Sequence, residues 1–242
     1  MKLIFVRHGD PDYEHDTLTE RGWQEAALLA ERMKAVPADA YFLSPLGRAR
    51  DTASLSLRAL GREAEICDWL QEFRGRAFKP HEPDEPTIAW DWLPKDWAED
   101  DRFYRASEWT QPAGMAELNA SEEYDRVCQK FDALLARYGY KRDGRIYRVT
   151  EANTKTLVFF CHFGVTCVML SHLLSISPMT LWHGFCAAPT SLTTVYTEER
   201  EKGVAAFRIA GFGDVSHLLS AGLEPSFSAR FCEVYDDFTQ RH

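Results

Sequence analysis

Three short apolar runs end in the same kind of polar cluster, and this recurrence constrains the fold more than any other feature of the chain. Leu3 to Val6 runs into Arg7-His8-Gly9. Ala40 to Leu43 runs into Ser44-Pro45-Leu46-Gly47-Arg48. Leu157 to Cys161 runs into His162-Phe163-Gly164. Brief continuous apolar runs bounded by turn residues read as buried strands. Helical patterns follow each one. Thr19 is placed to cap a helix with Trp23, Ala26, Ala27, Ala30 and Met33 at helical spacing, and Pro37 marks its exit. Ser44 as cap and Pro45 at the first helical position open a second helix through Ala49, Ala53, Leu57 and Leu60 to Gly61. An amphipathic helix is expected from about Val165 to Leu174. Strands alternating with helices imply a parallel sheet covered on both faces.

Further strands are expected near Glu65 to Trp69 and at Arg145 to Thr150. Ser191 to Thr197 and Val204 to Ile209 read as a hairpin. The hairpin adds antiparallel edges. The expected fold class is therefore α/β: a three-layer α/β/α sandwich with a mostly parallel mixed sheet and an inserted irregular or helical cap.

That insertion lies at about residues 76–120, within a single domain spanning 1–242. It holds five Pro and the four residues Trp90, Trp92, Trp97 and Trp109 among many acidic residues. Disordered segments are poor in aromatics, so this one is expected to be ordered. It reads either as a lid whose tryptophans touch the substrate or as an ordinary packing layer. After it, Ser121 is placed to cap a helix with Tyr124, Val127, Cys128, Phe131, Leu134, Leu135 and Tyr138 on one stripe, ended by Gly139.

Composition narrows the partners. The net charge of −9 disfavours nucleic acid and anionic lipid, which repel an acidic chain at long range. Any anion it binds must meet a local positive pocket. The six cysteines, at 67, 128, 161, 167, 186 and 232, form no C-x-x-C pair and no zinc spacing, so most are expected to be buried free thiols. No apolar run approaches membrane length, and the first residues are too short for a signal peptide, so a cytoplasmic protein is expected. Oligomeric state is left open, a homo-oligomer included.

In open α/β sheets, ligands bind beyond the carboxyl ends of the strands. Were the three strands parallel neighbours, Arg7, His8, Arg48 and His162 would share one crevice. Arg48 would sit on the first turn of its helix. His162 would stand ahead of a helix whose free N–H groups favour an anion. Asp10 is the sole carboxylate within the three motifs. Arginine presents a planar fork that matches phosphate and stays charged. Histidine titrates near neutrality and can serve as nucleophile or donor. His15, His81, His172, His183 and His242 lack this context and read as ordinary surface or core histidines.

These residues resemble the histidine phosphatase superfamily, also called phosphoglycerate mutase-like. Arg7-His8-Gly9 matches its RHG signature, Leu18 to Ala26 its downstream helix start, and Ser44-Pro45-Leu46-Gly47-Arg48-Ala49 its Ser-Pro-Leu-x-Arg-Ala motif. His162 stands where the family's second histidine follows a late strand. The resemblance covers roughly residues 1–75 and 155–220. It implies that His8 becomes phosphohistidine while Arg7, Arg48 and His162 hold the phosphoryl oxygens. It also implies a general acid after the third strand, for which Glu72 in Leu70-Gln71-Glu72-Phe73-Arg74-Gly75 is the candidate, its glycine one residue early. No metal and no cofactor are implied. An Asn found after RHG in many members is missing from Asp10-Pro11-Asp12-Tyr13-Glu14, which makes mutase activity less expected than phosphatase activity. The acidic loop would disfavour highly anionic substrates unless Arg74, Arg76 and Lys79 offset it.

The leading expectation is thus a phosphomonoester hydrolase acting on a small phosphorylated metabolite. The alternatives are phosphoglycerate mutase-type phosphoryl transfer, or an inactive relative serving as a protein-binding module. A cysteine phosphatase lacks the required Cys-to-Arg spacing, and a serine hydrolase lacks its G-x-S-x-G.

Overall fold

The computed structural model describes residues 1–228 and 234–237. Eight strands form the main sheet in the order Glu65–Ile66, Ala40–Leu43, Thr156–Cys161, Lys2–Arg7, Leu192–Glu201, Val204–Asp214, Ile146–Val149, Tyr140–Asp143. The first four are mutually parallel. The remainder are antiparallel. The strand Lys2–Arg7 lies at the change of direction, where a crevice opens beyond the strand ends.

Side chains alternate along a strand, so each parallel strand feeds two cores. Leu3 and Phe5 point into one with Phe42, Phe131, Leu157 and Phe159. Ile4 and Val6 point into the other with Leu29, Met33, Ala49, Ala53, Val158 and Phe160. Burial on both faces explains why these strands are continuous apolar runs rather than alternating ones. Helices Glu20–Met33 and Gly47–Leu60 cover the second face. Helices Ala120–Arg137 and Phe163–Leu174 cover the first. The expected three-layer α/β/α architecture is what the chain adopts.

Several local expectations change. Thr19 does cap its helix, accepting the Gly22 N–H at 3.0 Å. Trp23 and Ala27, however, are exposed, and the buried stripe is Gly22, Glu25, Ala26, Leu29, Ala30 and Met33. Ser44-Pro45 does not start a helix: the cap is Leu46, and Ser44 turns instead toward His162. The expected third strand is only Glu65–Ile66, followed by a single turn of 3-10 helix at Asp68–Leu70. Asn119, not Ser121, precedes the helix Ala120–Arg137. The helix Phe163–Leu174 is not amphipathic, since nine of its residues are buried around its whole circumference. Pro178–Gly184 and Ser216–Ser220 are helices that periodicity did not reveal, both being too short to show one.

The insertion is ordered. It contains a hairpin of Arg76–Lys79 with Glu82–Ile88, a short helix Pro94–Ala98 and a 3-10 turn Asp101–Tyr104. Trp90, Trp92 and Trp109 are buried, and Trp97 is partly so. Trp182 centres this layer, with ring centroids 5.3 Å from Phe73, 5.7 Å from Trp90 and 5.6 Å from Trp109. These tryptophans serve packing. Cys67, Cys128, Cys161 and Cys167 are buried free thiols, as expected, while Cys186 is exposed. Cys232 and His242 lie outside the described residues. Among the described residues no helix is long and apolar enough to cross a membrane.

Candidate active site

The parallel strands bring the expected residues together. Arg7 pairs in register with Cys161, so the next residues, His8 and His162, emerge side by side with ring centroids 5.1 Å apart. Both are buried. The His8 loop is held from two sides: its backbone N–H donates to the Cys161 carbonyl at 3.1 Å, and its carbonyl accepts the Thr190 N–H at 3.1 Å.

The His8 proton can be placed. Nδ1 lies 2.7 Å from the Gly9 carbonyl. A carbonyl only accepts, so Nδ1 carries the hydrogen and Nε2 keeps the lone pair. Burial, then the Arg7 and Arg48 charges, hold the imidazole well below its ordinary 6.5. His8 is therefore neutral at physiological pH. His162 is depressed likewise, by burial first and then by His8 and the two arginines. Its Nε2 lies 2.7 Å from the Ser44 hydroxyl, which already accepts the Leu46 N–H at 3.3 Å. With Ser44 donating to Nε2, the ring hydrogen sits on Nδ1, free to meet a bound group.

That Nδ1 is buried without a partner, and so are Arg7 Nε and Arg48 Nε. Buried donors left unpaired are costly and uncommon. Three in one crevice define a place for an anion with several acceptor oxygens. The outer nitrogens of Arg7 are fixed, Nη1 donating to the Ala187 carbonyl and Nη2 to the Ser228 carbonyl, each at 2.7 Å. Thr52 ties two motifs: its hydroxyl accepts the Gly9 N–H at 2.8 Å and donates to the Arg48 carbonyl at 2.7 Å.

Glu72 does reach this cluster, but not as a loop carboxylate. Its Oε1 accepts the Phe73 N–H at 2.8 Å and the Val165 N–H at 3.0 Å. Glu72 thus takes the Val165 N–H at the start of the helix Phe163–Leu174, one of the donors expected to favour an anion there. Burial raises its proton affinity, and the backbone donors only partly oppose this. Gly164 permits the approach: a Cβ there would lie 2.7 Å from Glu72 Oε1 and 2.8 Å from the Trp90 ring.

Asp10, the carboxylate within the motifs, accepts from Thr19 at 2.7 Å, from Ser228 at 2.5 Å and from Ser226. The carboxylate that enters is Asp16, with Oδ1 2.6 Å from Arg48 Nη1 and Oδ2 accepting the Gly47 N–H at 2.6 Å. Of the three basic residues expected to offset it, the buried Lys79 ammonium donates to the Asp91 carbonyl at 3.4 Å and Arg74 donates to Gln71. Asp16 and the Ala187 carbonyl carried no signal in the sequence, because loop geometry alone delivers them; Ser44 stood in the motif, but its pairing with His162 did not show. Among the described residues no three His, Cys, Asp or Glu side chains cluster as metal ligands would.

A strand-end crevice of two histidines, two arginines and a buried glutamate defines a phosphoryl-handling class of α/β enzyme. The family model of the histidine phosphatase superfamily (branch 1) matches residues 3–209, and the chain belongs to that superfamily. It is similar to phosphatases of phosphoglycerate mutase-like fold. An adenosylcobalamin/alpha-ribazole phosphatase of Salmonella typhi is 24% identical over 201 residues, covering 76% of this chain and 84% of that protein. A phosphoserine phosphatase of Entamoeba histolytica, solved with phosphoserine, superposes with a TM-score of 0.58 at 21% identity, over 90% of this chain and 98% of that one. A mycobacterial glucosyl-3-phosphoglycerate phosphatase gives 0.58 at 17% identity, over 88% and 98%.

Proposed function

We propose that the chain is a phosphomonoester hydrolase acting on a small phosphorylated metabolite through a phosphohistidine on His8, with Glu72 as general acid. The observation that carries this is the His8 pairing. With Nδ1 donating to Gly9, a neutral Nε2 lone pair is left beside three unpartnered donors.

In the first step the Nε2 lone pair attacks phosphorus and the P–O bond to the alcohol breaks. Glu72 gives its proton to the departing oxygen. Its raised proton affinity keeps it protonated to higher pH than an ordinary glutamate. Arg7, Arg48 and His162 donate to the phosphoryl oxygens as charge shifts onto them. In the second step the Glu72 carboxylate takes a proton from water, and that oxygen attacks phosphorus. The N–P bond breaks, its electron pair returns to Nε2, and inorganic phosphate leaves. The relatives' activities, on phosphoserine, glucosyl-3-phosphoglycerate and alpha-ribazole phosphate, support a small ester as substrate.

The test is a panel of phosphorylated metabolites carrying labelled phosphate. Release of inorganic phosphate with acid-labile label on the wild type, absent in His8→Ala, is expected. Label that persists in His8→Ala would overturn the assignment. Turnover of 3-phosphoglycerate to 2-phosphoglycerate without free phosphate would replace hydrolysis by mutase chemistry.

A further inference from the structure

The loop after Gly9 does more than connect. Its two-residue strands, Pro11–Asp12 and Thr17–Leu18, pair with each other and present the turn between them to the pocket. Asp16 holds a left-handed backbone, φ 47°, which lets its carboxylate turn inward. The close approach needs a glycine opposite: a Cβ on Gly47 would lie 1.9 Å from the Asp16 carbonyl. Arg48 is consequently divided. One outer nitrogen is 2.6 Å from a fixed negative charge, while Nε is buried and open.

The same loop lays the exposed Tyr13 ring over the Arg48 guanidinium at 5.4 Å, with its phenol against Arg7. An exposed aromatic therefore flanks the arginine pair.

The charges can be counted. A phosphoryl dianion takes up Arg7 and the open side of Arg48. His8 and His162 are neutral, and Asp16 already offsets part of Arg48. Nearby cations are engaged elsewhere, Arg21 with Glu25 at 3.5 Å and Lys79 with the Asp91 carbonyl. A second anionic group on the substrate would meet Asp16 beside an Arg48 whose charge Asp16 already partly offsets.

We propose that Asp16 is a specificity-determining residue: it excludes phosphomonoesters whose alcohol part bears a second negative charge and favours uncharged alcohol parts that lie against Tyr13. This rests on reading the pocket as a phosphomonoester site. It is a statement about binding, so it can fail separately from the hydrolysis.

Matched ligands test it. Glycerol 3-phosphate and 3-phosphoglycerate differ by a hydroxymethyl against a carboxylate, and phosphoethanolamine and phosphoserine by the carboxylate alone. Calorimetric Kd values are measured for each pair on the wild type and on Asp16→Asn, with Asp16→Ser as a second variant. The wild type is expected to bind the member without the carboxylate about tenfold tighter or more. Either variant should bring that ratio to within about threefold, whatever happens to each Kd, because lost support of Arg48 affects both members alike. Equal Kd values in the wild type, or a ratio unchanged in both variants, would overturn the proposal. A phosphate-release assay on the same ligands keeps the two readings apart. A preserved ratio without release sinks hydrolysis alone, and release with a flat ratio sinks the role of Asp16 alone.

Discussion

The strand-end crevice and the aromatic layer around Trp182 lie on either side of Gly164 and obey opposite rules. In the crevice, buried donors are left without partners. In the layer, rings fill the space and two indole N–H groups are paired, Trp182 to the Gly164 carbonyl at 3.1 Å and Trp92 to the Ala89 carbonyl at 3.2 Å. Even histidine follows this division. His8 is kept neutral by burial beside arginines, whereas His183 is kept neutral by burial among aromatics, stacked on Trp97 at 4.9 Å. One region gives up local stability for chemistry; the other supplies it.

The comparison breaks most visibly at His8. In His8→Ala, phosphate release should fall about 10⁴-fold or more while the thermal midpoint barely moves, because a nucleophile is lost and not a packing group. Trp109→Ala should do the reverse. Urea unfolding should show a loss of about 3–5 kcal/mol, with kcat/KM of the folded fraction within about threefold of wild type. A large kinetic effect there would turn the layer into part of the site. Glu72→Gln should lower kcat about 10²–10³-fold for alkyl phosphates, and far less for p-nitrophenyl phosphate, whose leaving group needs no proton.

Acid should weaken the layer. His183 is pushed down to about 4 by burial, against an ordinary 6.5. Between those values the unfolded chain binds a proton that the folded chain refuses. The contribution is therefore complete above about pH 6.5 and declines as pH falls toward 4, by roughly 2–3 kcal/mol. Urea midpoints from pH 7 to 4 measure it, and His183→Gln should flatten the slope. The smallest effect is expected at the junction. Gly164→Ala, crowding Glu72 and Trp90 together, should cost about 1–2 kcal/mol and lower kcat several-fold.

The two regions also differ in how far the sequence reveals them. Arg7, His8, Arg48 and His162 were legible because each follows a buried strand, and parallel register then brings the strand ends together. Glu72 was legible only by likeness, and its seat on the Val165 N–H depends on where another helix begins. Asp16 was invisible, since a left-handed residue in a seven-residue acidic loop has no periodicity to betray it. The layer was legible only as composition. Four tryptophans announced a packed region, but their partners Phe73 and Trp182 lie outside the insertion. The hairpin strand Glu82–Ile88, with its Glu-Pro-Asp-Glu-Pro start, shows no alternation because its first five residues are all exposed.

Arg7 ends the strand Lys2–Arg7, yet one of its two outer nitrogens is received by the carbonyl of Ser228. The buried Glu25 carboxylate likewise waits for the Ser226 N–H at 3.2 Å, after accepting that of Asp10 at 2.9 Å. The pocket opened by residues 7 and 8 is therefore finished by residues made more than two hundred positions later. In synthesis His8, the proposed nucleophile, is made long before the Ser228 carbonyl that holds its neighbour Arg7 in place.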